Sequence, residues 1–69
     1  MKNRMVILGA GESGAGASVL AKAKGYDVFV SDYESILPKY KQIMDEREIL
    51  WKEGGHTESA ILNADKIIK

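Results

Sequence analysis

Gly9-Ala10-Gly11-Glu12-Ser13-Gly14 has the G-x-G-x-x-G spacing that suits a backbone wrapped around a phosphate. The pattern draws its meaning from its flanks. It directly follows the apolar run Met5-Val6-Ile7-Leu8 and opens a segment with helical periodicity. Gly9 permits a tight turn, Gly11 lets backbone approach a phosphate with no Cβ in the way, and Gly14 lets the helix pack closely on the strand. The start of that helix offers N–H groups and partial positive charge to an anion, and Ser13 adds a hydroxyl. Glu12 places a negative charge in the same loop, so its side chain is expected to point outward or to meet another group of the ligand. A strand-to-helix turn with no ligand uses the same glycines, and that reading stands beside the first.

Asp32 lies about twenty residues past the glycines, at the end of a second apolar run, where a carboxylate reaches a ribose or base held over the first strand. A turn or capping carboxylate is the alternative. Tyr33 follows directly and is placed to lie against a ligand, or on open surface. Gly54-Gly55 forms a turn that either rims the same cleft or merely closes a loop. His56 is the single histidine and has no partner at metal-ligand spacing, so it reads as a surface loop residue. Trp51 follows two apolar residues and reads as core. The chain contains no G-x-x-x-x-G-K-[ST] loop and no recognisable nucleophile–base pair. Catalysis by these residues alone is not expected.

The elements that must hold these groups follow from periodicity. Met5 to Leu8 suits a strand covered on both faces, as in a parallel sheet. From about Ser13 to Lys24 the pattern is helical, with Gly16, Val19, Leu20 and Ala23 as the packed stripe and Gly25 as the stop. Val28-Phe29-Val30 is a second strand. Pro38 suits the first turn of a second helix, in which Tyr40, Ile43, Met44 and Arg47 share a face. Ile49-Leu50-Trp51 reads as a third strand, Thr57 to Asn63 as a brief helix, and Lys66-Ile67-Ile68-Lys69 as the start of a fourth strand. The order β-α-β-α-β-α-β predicts an α/β Rossmann-like parallel sheet, with right-handed crossovers placing helices on both faces. A last element of this kind is expected to belong to the opening part of something longer, with the sheet cut short at its C-terminal end.

Composition bounds the rest. Sixty-nine residues make at most one small domain, and the absence of cysteine removes disulfides and thiolate metal sites as supports. Ten basic and ten acidic residues cancel to a net charge of zero, which gives no electrostatic reason to expect nucleic acid or an anionic membrane as partner. The N-terminal apolar run is too short for a signal peptide or a membrane span, so the chain reads as cytoplasmic.

Three segments carry a family resemblance: Val6-Ile7-Leu8-Gly9-Ala10-Gly11-Glu12-Ser13-Gly14-Ala15-Gly16, Val28-Phe29-Val30-Ser31-Asp32 and Glu53-Gly54-Gly55-His56-Thr57-Glu58. Together they resemble the N-terminal domain of the D-glutamate-adding Mur ligases, and the likeness runs along essentially the whole chain. The resemblance implies a three-domain cytoplasmic enzyme of peptidoglycan synthesis. Such ligases use ATP and magnesium to make an acyl phosphate, which the amine of D-glutamate attacks to form an amide. Their N-terminal domain holds the UDP end of UDP-N-acetylmuramoyl-L-alanine, while ATP and the amino acid belong to the other two domains. By position, Gly11, Glu12, Ser13 and Gly14 would lie at the diphosphate, Asp32 and Tyr33 at the uridine, and Gly54 at the cleft edge. Some members carry threonine and arginine after the acidic residue, where this chain has Tyr33 and Glu34. An NAD(P)-binding module of a dehydrogenase or a regulatory protein uses the same glycines and acidic residue, and a partner-binding α/β module with no ligand is the third reading.

Overall fold

A computed structural model of the chain describes residues 3–55, 61 and 64–68. The elements run β1 (Arg4–Leu8), α1 (Glu12–Ala23), β2 (Asp27–Ser31), α2 (Pro38–Glu46), β3 (Leu50–Lys52) and β4 (Lys66–Ile68). Every strand pairing is parallel, and the order across the sheet is β3-β2-β1-β4. This is the α/β Rossmann-like sheet expected from the sequence. In register, Val6 stands between Phe29 and Ile67, and Ile7 between Val30 and Ile68.

β1 is central, which explains its unbroken apolar run: Met5, Val6 and Ile7 alternate between faces, yet all are buried. Met5, Ile7, Val28 and Val30 join Ala21, Ile36, Met44 and Ile49 in one core. The helices α1 and α2 touch each other and so share a face of the sheet. β4 lies on the side of β1 away from β2 and β3. The brief helix expected from Thr57 to Asn63 falls, Ile61 apart, outside the described residues, as do His56 and Lys69.

The packed stripe of α1 differs from the expected one. Ala15, Ser18 and Ala21 are buried, whereas Gly16 and Ala23 are exposed and Leu20 is 58% exposed. The helix sits too close to the sheet for a leucine beneath it, so its smallest residues face inward. A serine can join them because its hydroxyl donates to the Ala15 carbonyl at 2.6 Å. On α2 the expected face is seen at Met44, which is fully buried, with Tyr40 and Ile43 half-buried. Arg47 lies past the helix end as its C-cap and is exposed. Trp51 packs half-buried against the core and donates through Nε1 to Asp45 Oδ1 at 2.8 Å.

Both helices stop in the same way. After α1, Gly25 N–H donates to Lys22 O and Tyr26 N–H to Ala21 O; after α2, Glu48 N–H donates to Asp45 O and Ile49 N–H to Met44 O. These are the paired bonds of a Schellman ending, which needs a left-handed residue at its corner. Gly25 supplies it without strain at φ 93°, but Glu48 takes φ 57° with a side chain attached. Glu48→Gly is therefore expected to raise stability by about 0.5–1 kcal/mol, the net of relieved strain and added unfolded-state freedom. Chemical denaturation would show it as a higher midpoint at unchanged slope.

Candidate functional site

In an open parallel sheet the natural cleft lies beyond the carboxyl ends of the strands, where the strand order reverses. Here that point falls between β1 and β4, and a cleft of about 500 Å³ occupies it. Gly9, Gly11, Glu12, Ser13 and Gly14 form one wall, Ile68 the other, and Ile7, Leu8 and Ala17 also line it. The loop leaves β1 through Gly9 at φ 104°, while Gly9 N–H still donates to Ser31 O at 2.7 Å. Helix α1 then starts at Gly11 with no side chain capping it, and the first bond back to the cap runs from Ala15 N–H to Gly11 O at 2.8 Å. The first turn thus offers main-chain donors at the cleft wall.

Two glycines of the loop serve different ends. A Cβ built on Gly14 would fall on the Gly9 carbonyl oxygen and within 2.8 Å of its carbon, so this residue lets the helix cross the loop. A Cβ on Gly11 would meet no protein atom and would project into open space. Glu12 is exposed at the cleft wall.

The other sequence-designated residues sit along the same edge of the sheet, outside the cleft lining. Asp32 accepts from Ala10 N–H through Oδ2 at 2.8 Å and from Glu34 N–H through Oδ1 at 2.9 Å. Its carboxylate therefore ties the glycine loop to the loop after β2. Tyr33 is 73% exposed next to it. Gly54 N–H donates to Glu34 O at 3.3 Å, Gly55 N–H donates to Asp32 O at 3.2 Å, and the buried Ser31 hydroxyl donates to Gly55 O at 3.3 Å. The Gly54-Gly55 turn is thus brought against the Asp32–Glu34 loop.

Two contributors went unread in the sequence. Ile68 becomes a cleft wall only because β4 pairs with β1, a non-local fact with no local signal. Glu53 accepts from Ile36 N–H at 2.8 Å and pairs with Lys41 Nζ at 2.9 Å. The Ile36 hydrogen bond, then the Lys41 ammonium, hold the Glu53 carboxyl below its ordinary pKa. A lowered folded-state pKa means stability that is present above the unfolded value and lost as pH falls through the folded one. Acid unfolding followed by circular dichroism should therefore steepen below about pH 4.3, and Glu53→Gln should remove that part of the acid limb.

Among the described residues, no group of three or more His, Asp or Glu side chains is placed to hold a metal ion. None of their helices is long and apolar enough to cross a membrane.

A UDP-N-acetylmuramoylalanine–D-glutamate ligase of Bacteroides thetaiotaomicron is 64% identical over 66 residues, covering 96% of this chain and 15% of that protein. Its namesake in Porphyromonas gingivalis is 56% identical over 69 residues, covering 100% of this chain and 15% of the relative. That of Cytophaga hutchinsonii is 46% identical over the same length. The chain thus spans about 15% of the length of these relatives. No solved structure matches it. With the family model for the MurD N-terminal domain matching residues 4–69, and the glycine loop and parallel sheet in place, the chain belongs to the MurD N-terminal domain family.

Proposed function

We propose that this chain is the nucleotide-holding part of an ATP-dependent ligase that adds D-glutamate to UDP-N-acetylmuramoyl-L-alanine in peptidoglycan synthesis. In this reading the diphosphate lies in the cleft against Gly11, Glu12, Ser13 and Gly14. The uridine lies over the loop of Asp32 and Tyr33, with Gly54 at the rim. The observation that carries it is the switch-point cleft, walled by an uncapped helix start and by a glycine whose missing side chain leaves room for a ligand. Family membership and the names of the relatives support the identity of the nucleotide. These residues bind and orient substrate. ATP, magnesium and the groups that handle the acyl phosphate and the amine are assigned to the remaining domains of a cytoplasmic enzyme.

Titration with UDP and, in parallel, with NAD, followed by amide shifts in NMR, tests the reading. UDP is expected to shift Gly11 to Gly14 and the Asp32–Tyr33 loop. The same shifts with NAD alone would replace this reading with a dinucleotide module, for which Asp32 would take the ribose hydroxyls. Gly11→Ala should leave the fold intact, because its Cβ meets nothing in the protein. It should weaken UDP at least about tenfold, or ~1.4 kcal/mol, because the methyl stands where the phosphate must approach.

A further inference from the structure

The loop that joins β2 to α2 is fastened at three points. Asp32 Oδ1 takes Glu34 N–H at its start, and Gly54 N–H donates to Glu34 O in its middle. At its far end Glu53, just past β3, takes Ile36 N–H. Ile36 is 3% exposed, so its side chain is seated in the core while its N–H is satisfied by a side chain from another loop. Lys41, in the first turns of α2, reaches both oxygens of the same carboxylate at 2.9 Å and lies 5.1 Å from the centroid of the Trp51 ring. One carboxylate thus joins the end of β3, the end of the loop and the start of α2. Glu53 does not line the cleft at the glycine loop.

We infer that Glu53 is a positioning residue for nucleoside recognition, holding the Asp32–Ile36 loop where Tyr33 can meet a base, while leaving the diphosphate cleft untouched. The inference rests on the nucleotide reading given above. Its consequence is a split: losing the clasp should weaken the nucleoside half of a ligand and spare the phosphate half. If release leaves about a tenth of the molecules with the loop in place, the apparent Kd for a ligand that needs it rises about tenfold.

The test compares UDP with inorganic pyrophosphate on the unsubstituted chain, Glu53→Ala and Glu53→Gln, by NMR titration. Glu53→Ala is expected to weaken UDP about tenfold with pyrophosphate unchanged. Glu53→Gln keeps an acceptor for Ile36 N–H and should recover most of the loss. If Glu53→Ala does not fold, Glu53→Asp carries the same comparison, because the shorter side chain cannot span Ile36 and Lys41 together. Unchanged UDP binding, equal weakening of UDP and pyrophosphate, or no recovery in Glu53→Gln would each overturn the inference. Failure of the nucleotide reading looks different: the unsubstituted chain itself would not bind UDP, and the inference would fall with it.

Discussion

Replacing Gly14 by alanine is expected to abolish cooperative folding, whereas the same change at Gly16 should stabilise the chain. At Gly14 the new Cβ would overlap the backbone carbonyl of Gly9, a residue already held in place by the bond from its N–H to Ser31 O. Relief requires α1 to move off the loop, and α1 carries Ala15, Ser18 and Ala21 into close contact with the sheet. Overpacking of this kind costs about 3 kcal/mol or more when backbone must yield. A chain this size holds about 3–10 kcal/mol in total at typical per-residue stabilities. At Gly16, on the exposed side of the same helix, a Cβ meets nothing. There alanine should add about 0.5–1 kcal/mol through helix propensity. Thermal unfolding of the two variants side by side is decisive, since equal midpoints would show that the close approach at Gly14 does not hold in solution.

The second large effect is expected at Asp32. Asp32→Ala removes the acceptor of Ala10 N–H, and Ala10 is 1% exposed, so water cannot readily replace the lost partner. An orphaned buried donor costs about 1–3 kcal/mol. Asp32→Asn retains one acceptor oxygen for two donors, so it should fall between alanine and the unsubstituted chain in denaturant midpoint. Hydrogen exchange offers an independent reading: Ala10 and Glu34 amides should lose protection together in Asp32→Ala. Loss at only one of them would mean that the two loops are not joined through this carboxylate.

Much of this arrangement was legible because its causes are local. The apolar run Met5 to Leu8 announces a strand buried on both faces, the glycine spacing announces the turn into α1, and Pro38 marks the start of α2 within a residue. The inward face of α1 was not legible by hydrophobicity. Close packing favours the smallest residues there, so alanine and serine displace leucine from the core side, and the hydroxyl of Ser18 is hidden by a bond within its own helix. The glycine part of the candidate site could be read because strand, turn and helix are consecutive. Ile68 and Glu53 could not, because one acts through a pairing across most of the chain and the other through a backbone amide in a neighbouring loop.

The placement of β4 beside β1 also governs the order in which the molecule can be made. The two strands pair Met5 with Lys66, far apart in sequence, whereas β1 finds β2 as soon as α1 is complete. Closing the longer loop costs more chain entropy, and synthesis from the N-terminus delivers β4 after β1, β2 and β3. A nascent chain therefore carries β1 with one edge open, a surface that invites pairing with other unfinished chains until β4 arrives. The switch-point cleft does not exist before that moment. A ligand bound there would recognise only a sheet in which β4 has docked, and so would draw newly made molecules toward that pairing by mass action.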